Sequence, residues 1–198
     1  MKRFLWLLMC FIVGFSCTAF IPRSVEGCSE NETVVSTQKY SVVTEDEFSS
    51  VCMEDEITLD YVLTLLARVH YLNENPDKTI QDVPVDTVKY CQENGIFNDW
   101  LENYKVPLTC GVFADLLVNT VKDMDLPKVN KVAKGSIPGV EEDYYWKESI
   151  YLCYEYGLFN GMDEQGTFIH EETLKVNQTF NVLNRVLNSE DRVLRNFE

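Results

Sequence analysis

The chain has 198 residues, 45% of them hydrophobic, which suffices for one domain or a compact repeat array with a real core. It carries 17 basic and 32 acidic residues, a net charge of −15. A field of that sign repels phosphate backbones and anionic lipid headgroups, which argues against nucleic-acid binding and against adsorption to a charged membrane.

Lys2 and Arg3 precede an uncharged run from Phe4 to Phe20. Pro22 breaks the run, and Val25-Glu26-Gly27 puts small or modest residues where a signal peptidase reads. Residues 1–27 are therefore expected to be a signal peptide, and the protein to be exported to the cell wall, the cell surface or the medium. Two alternatives stay open. The run is just short of a span of roughly 20 residues and could remain as an anchor. Val-Glu-Gly-Cys also loosely resembles a lipoprotein box that would lipidate Cys28, with Glu26 a poor fit. These are the only expected routes to a membrane. Cleavage would remove Lys2, Arg3, Arg23 and Glu26, leaving 14 basic and 31 acidic residues, a net of −17.

Five cysteines follow Gly27: Cys28, Cys52, Cys91, Cys110 and Cys153. An odd number means at least one thiol is free or modified. No pair has the C-x-x-C spacing of a zinc or thioredoxin-like site. Cys91 and Cys153 read as small core hydrophobes. Whether Cys28 and Cys52 pair is open at this stage.

Residues 28–56 are the least patterned. Thr33–Val35 and Tyr40–Val43 could be short strands, or a helix could start near Glu45. From Ile57 the apolar period becomes helical. Val62, Leu65, Leu66, Val69 and Leu72 share one face after the opening Ile57-Thr58. Phe113, Leu116, Leu117 and Val121 do so after Leu108-Thr109. Phe180, Leu183, Val186 and Leu187 do so after Leu174-Lys175. Thr58 and Thr109 are expected N-caps. Aligned on these openings, Arg68 and Arg185 fall at the same place, with Asn119 between them.

A second helix type also recurs. Val88-Lys89-Tyr90-Cys91-Gln92-Glu93-Asn94-Gly95-Ile96-Phe97-Asn98 matches Ile150-Tyr151-Leu152-Cys153-Tyr154-Glu155-Tyr156-Gly157-Leu158-Phe159-Asn160 at a constant offset of 62. Val85, Val88 and Cys91 are expected on one face, as are Trp146, Ile150 and Cys153. Gly95 and Gly157 are expected to close their helices in the left-handed conformation, and the Phe two residues later to fold back on the core. The repeat unit is thus helix, Gly stop, loop, helix. Its boundaries are an N-terminal segment 28–56, a first unit at 57–78, a second at 79–124, a linker at 125–135, a third unit at 136–188 and a tail at 189–198.

Ile80-Gln81-Asp82-Val83-Pro84 opens the second unit. Ile137-Pro138-Gly139-Val140, Tyr145-Trp146, Gly157-Leu158-Phe159-Asn160-Gly161 and Asp163-Glu164-Gln165-Gly166-Thr167-Phe168 run through the third. These stretches resemble the S-layer homology family. The resemblance implies a mainly α fold, three helix-loop-helix units packed as a pseudo-three-fold bundle. It also implies attachment to a cell-wall polysaccharide without catalysis. The family's Thr-Arg-Ala-Glu motif supplies an Arg that clamps an anionic polymer, since a guanidinium holds a carboxylate with two hydrogen bonds. Here Leu59, Cys110 and Val176 stand in that place, and Tyr61, Val112 and Gln178 replace the motif's Glu. Lys175 is one position away and is expected to point elsewhere. Each lost charge-assisted bond typically costs about 1.5–3 kcal/mol. The implied fold therefore carries over better than the implied ligand. Candidate ligand-binding residues for a neutral or altered glycan are Asp82, Tyr145, Trp146, Gly161 and Asp163. Aromatic faces can stack on sugars and Asp can accept sugar hydroxyls. The same residues could equally serve packing and turns. The alternative partner is another surface protein.

No enzyme, cofactor or metal site is expected. His70 and His170 are the only histidines, and no H-E-x-x-H, G-x-S-x-G or P-loop spacing occurs. Acid runs such as Glu45-Asp46-Glu47 and Glu54-Asp55-Glu56 read as solvated faces. Asp163-Glu164-Gln165-Gly166 is too short for an EF-hand loop. Asn31-Glu32-Thr33 and Asn177-Gln178-Thr179 fit the glycosylation sequon, a pattern common by chance.

Overall fold

Six α-helices carry the structure, a computed structural model that describes residues 42–98 and 103–197. They are α1 (Glu45–Ser50), α2 (Leu59–Glu74), α3 (Thr87–Glu93), α4 (Cys110–Val121), α5 (Lys147–Glu155) and α6 (Val176–Leu187). Short 3-10 turns lie at Ile80–Asp82 and Ser189–Asp191. Among the described residues there is no sheet, only isolated bridges. The expected signal peptide and the strand at Thr33–Val35 lie outside the described residues. Of the other expected strand, Val42 and Val43 are described; they are buried and form no strand.

The helical stripes read from the sequence form the core. α2 buries Leu59, Val62, Leu63, Leu65, Leu66, Ala67, Val69, His70 and Leu72, so more than half its surface is covered. α4 and α6 bury stripes centred on Phe113, Leu117, Phe180 and Leu183. α3 packs on α2, α5 on α4, and α2 on α4. α3 and α5 thus each lie on the long helix that precedes them. The Cys91 thiol approaches the carbonyl of Leu63 at 3.4 Å, and the Cys153 thiol approaches that of Ala114 at 3.8 Å. Both cysteines are free and fully buried, so they serve as small hydrophobes with a weak S–H donor. Cys52, in contrast, is disulfide-bonded.

α3 and α5 end as their glycines dictate. Gly95 and Gly157 adopt φ of 65° and 70°. Gly95 N–H donates to Gln92 O and Ile96 N–H to Cys91 O; Gly157 and Leu158 repeat this with Tyr154 and Cys153. These are the paired bonds of a Schellman stop. Phe97 and Phe159 then turn inward and are buried. Val85 departs from the expected face. It precedes the Asp86 N-cap of α3 and is fully exposed.

The openings of the three long helices meet. Ile57 N–H donates to Leu174 O (2.9 Å), Leu108 N–H to Ile57 O (3.0 Å) and Leu174 N–H to Leu108 O (2.7 Å). The bonds close a ring, flanked by antiparallel bridges Glu56–Lys175, Thr58–Pro107 and Thr109–Thr173. The next amides also leave their own helix. Leu59 and Asp60 donate to Val106 and Tyr104, Cys110 and Gly111 to Glu172 and His170, and Val176 and Asn177 to Asp55 and Met53. Thr58 and Thr109 do occupy the N-cap positions, but neither hydroxyl accepts a helix amide. Carbonyls from neighbouring segments satisfy those amides instead.

Residues 192–197 are held against 129–133. Val193 N–H donates to Gly157 O, and Phe197 and Ala133 exchange bonds with Lys131 and Phe197 across a parallel bridge. Buried Asn130 donates to Tyr154 O and Val193 O, each at 2.8 Å, and accepts from Arg195 N–H at 2.7 Å. Phe197 is buried edge-on to Tyr154, with ring centroids 5.1 Å apart. The stretches read as a linker and a tail thus close on each other.

Candidate functional site

A groove with a cavity of about 200 Å³ opens between the start of α4, the loop 158–168 and the outer face of α6. Its apolar wall is made by Phe113, Phe159 and Phe168, with Met162, Leu174 and Val182. Phe159 and Phe168 stack at 5.5 Å and 13°, and Phe159 stacks on Phe113 at 6.3 Å. The loop is shaped by its own bonds. Met162 N–H donates to Thr167 O, Gly166 N–H to Asp163 O, and Phe168 N–H to Pro138 O. Gly161 lies so close to Gly166 that any Cβ there would overlap its backbone.

The polar wall is Asn160, Gln178, Asn181 and Arg185. Gln178 Oε1 accepts from Lys175 N–H at 2.8 Å, fixing its side chain at the start of α6. Arg185 Nη1 donates to Leu158 O at 2.8 Å. Burial lowers the Arg185 pKa, opposed by the charge of Asp191. Asp191 itself accepts from Asn184 at 2.8 Å. Among the described residues no carboxylate pairs with Arg185 within 4.0 Å.

Arg68 makes a contrasting set of contacts. Its Nη1 donates to Val42 O at 2.9 Å, as Arg185 donates to Leu158 O. Glu47 then takes the rest of the guanidinium, Oε2 at 2.9 Å from Nη1 and Oε1 at 2.8 Å from Nη2. Glu47 is placed by the capping box of α1, in which it bonds Thr44 N–H and Thr44 bonds Glu47 N–H. The Arg68 hydrogen bond is the largest influence holding the Glu47 carboxyl below its ordinary pKa. Phe48, its neighbour, stacks on Phe180 at 6.1 Å.

Of the residues singled out from the sequence, Gly161 lines the groove and the other four are not among its lining residues. Asp163 is exposed; it accepts from Thr167 N–H at 2.9 Å, and Thr167 holds its carboxyl below the ordinary range. Asp82 is exposed and closes a capping box with Thr79, which likewise lowers its pKa. Tyr145 is 86% exposed and Trp146 half-buried, their rings edge-to-face at 5.4 Å. Leu59, Cys110 and Val176, where the motif Arg would stand, are all buried; Cys110 reaches the groove. Lys175 turns away to pair with Glu54 at 3.0 Å. The groove's polar residues Arg185, Asn181 and Asn160 were not singled out as a site. The sequence signals for them are the register of Arg185 with Arg68 and of Asn160 with Asn98.

The remaining titratable groups read as structure. His70 Nδ1 lies 2.8 Å from Tyr90 Oη, and burial lowers the His70 pKa and pushes Tyr90 up to about 12. Burial pushes both the Cys91 and Cys110 thiols up to about 12. No cluster of His, Cys, Asp or Glu among the described residues could hold a metal ion. No helix among them is long and apolar enough to cross a membrane. Compared with known proteins, the chain matches no family model and no curated protein sequence.

Proposed function

We propose that this chain is an exported, non-catalytic module of the S-layer homology type that attaches at a bacterial cell envelope through a wall glycan. The observation that carries the reading is the closed ring of Ile57, Leu108 and Leu174, because three equivalent helix openings bonded head to tail are what a pseudo-three-fold bundle needs at its axis. The paired Schellman stops and the matching thiol contacts of Cys91 and Cys153 support it. The charge pattern of residues 1–27 supports export.

The motif positions hold buried Leu59, Cys110 and Val176 and provide no anionic clamp. A wall glycan would instead meet exposed Tyr145 beside Trp146, and Gly161 and Asp163 at the loop. Those same buried positions favour the alternative, a protein-interaction module on the same fold.

Co-sedimentation of the purified protein with isolated sacculi, intact and stripped of wall polysaccharide, tests the reading. Binding to intact walls that disappears on stripping supports glycan attachment. Binding to neither sinks it and leaves the protein-interaction alternative.

A further inference from the structure

Arg68 and Arg185 stand equally far along α2 and α6 from Ile57 and Leu174, two residues joined by a backbone hydrogen bond. Each guanidinium donates Nη1 to the carbonyl of a residue outside the helices, Val42 before α1 or Leu158 after α5. Beyond Val42 the chain presents Glu47 and Phe48, a carboxylate on the guanidinium and a ring stacked on the neighbouring α6. Asp163 stands as far beyond Leu158 as Glu47 beyond Val42, but its carboxylate is turned to the Thr167 amide. The groove at Arg185 therefore stays open to a cavity of about 200 Å³ faced by phenyl rings.

We propose that this groove binds a small carboxylate with a ring-sized apolar body, its carboxylate on Arg185 and its body against Phe159 and Phe168. The chain's own Glu47 and Phe48 are the internal counterpart of that ligand. A guanidinium has five N–H donors in a fork that matches a carboxylate, and Arg185 spends one on Leu158 among its described partners. Desolvation by the surrounding wall strengthens any charge-assisted bond made there. A cavity of roughly 150 Å³ accommodates a benzene ring, so this one takes a ring plus its head group. Asn181 and Gln178 lie along the same face of α6 and can donate to the second carboxylate oxygen. The proposal goes beyond envelope attachment and does not depend on it.

The test is a titration of the full chain with benzoate, benzyl alcohol and acetate, followed by NMR shifts of the Phe159 and Asn181 resonances. Benzoate is expected to saturate the site at least about tenfold below either other compound, as one charge-assisted bond and one buried ring each predict. Arg185→Gln, with its fold checked by circular dichroism, is expected to remove the preference for benzoate over benzyl alcohol. Equal binding of benzoate and benzyl alcohol to the unaltered protein overturns the proposal, whatever the variant does. So does the absence of benzoate-induced shifts at these two residues. Loss of sacculus binding with benzoate binding retained removes the envelope reading and leaves this one standing.

Discussion

Glu47 grips Arg68 through both carboxylate oxygens, at 2.8 and 2.9 Å, and so ties α1 to α2. The pair is partly buried, with side chains 31% and 15% exposed. The Glu47 pKa is depressed below its ordinary value of 4.5, chiefly by Arg68. The pair's contribution is therefore complete above the unfolded pKa and is lost as pH falls through the lower folded value. Glu47→Gln should cost about 1 kcal/mol at pH 7, discounted for exposure. The gap between variant and parent in urea midpoint should narrow steadily below pH 4.5. A gap unchanged between pH 7 and pH 3 would remove the ion pair as its cause.

Thr109 sits at an N-cap without capping. An ordinary N-cap Thr→Ala change costs about 1 kcal/mol. Because Cys110 and Gly111 donate to Glu172 and His170, Thr109→Ala should cost less than about 0.5 kcal/mol. Chemical denaturation measures this directly, and a full capping penalty would contradict the bonding described.

Gly95 and Gly157 share a left-handed backbone but not their surroundings. A Cβ on Gly95 would meet Lys122 Nζ at 3.3 Å, the movable end of a side chain. On Gly157 it would meet Val129 Cγ2 and Val193 O, both at 2.7 Å. Gly95→Ala should cost about 1–2 kcal/mol, the left-handed penalty alone. Gly157→Ala should cost clearly more, since a fixed backbone carbonyl must also move. Equal losses in thermal stability would show that the 129–133 and 192–197 segments do not hold position.

The groups at Asn130 form the lock on the chain's end. Asn130→Ala removes three hydrogen bonds and leaves Val193 O and the Arg195 amide without this partner, while Tyr154 O keeps its bond from Gly157 N–H, a loss of about 2–4 kcal/mol. Limited proteolysis should then cut within residues 192–197 well before the helices. Resistance equal to the parent would show that Phe197 alone holds this segment.

How much of this was legible follows from what each element relies on. The long helices were readable because their own period fixes the buried face, as Phe113, Leu117, Phe180 and Leu183 show. Gly95 and Gly157 were readable because a left-handed stop needs little beyond a glycine. Val85 lies off the expected helix face because Asp86 caps α3 by accepting from Lys89 N–H, so the helix starts after Val85. The 192–197 segment has no period; it is held by Asn130, far away in sequence. The groove was hidden for a similar reason. Tyr145 and Trp146 are adjacent in the sequence and stand out as an aromatic pair, whereas Arg185 becomes distinctive only beside the contacts of Arg68.

The ring of Ile57, Leu108 and Leu174 also limits how such a chain can grow. Each member donates one backbone bond and accepts one, so none is left over at an edge. An open solenoid can lengthen by adding copies to its end, since each copy meets only its neighbours. A closed cycle has no end. A duplicated fourth unit would find every partner already taken and would have to hang outside as a separate body. Deleting one of the three openings leaves the other two each with a severed bond, so the expected product is general unfolding and not a smaller stable domain.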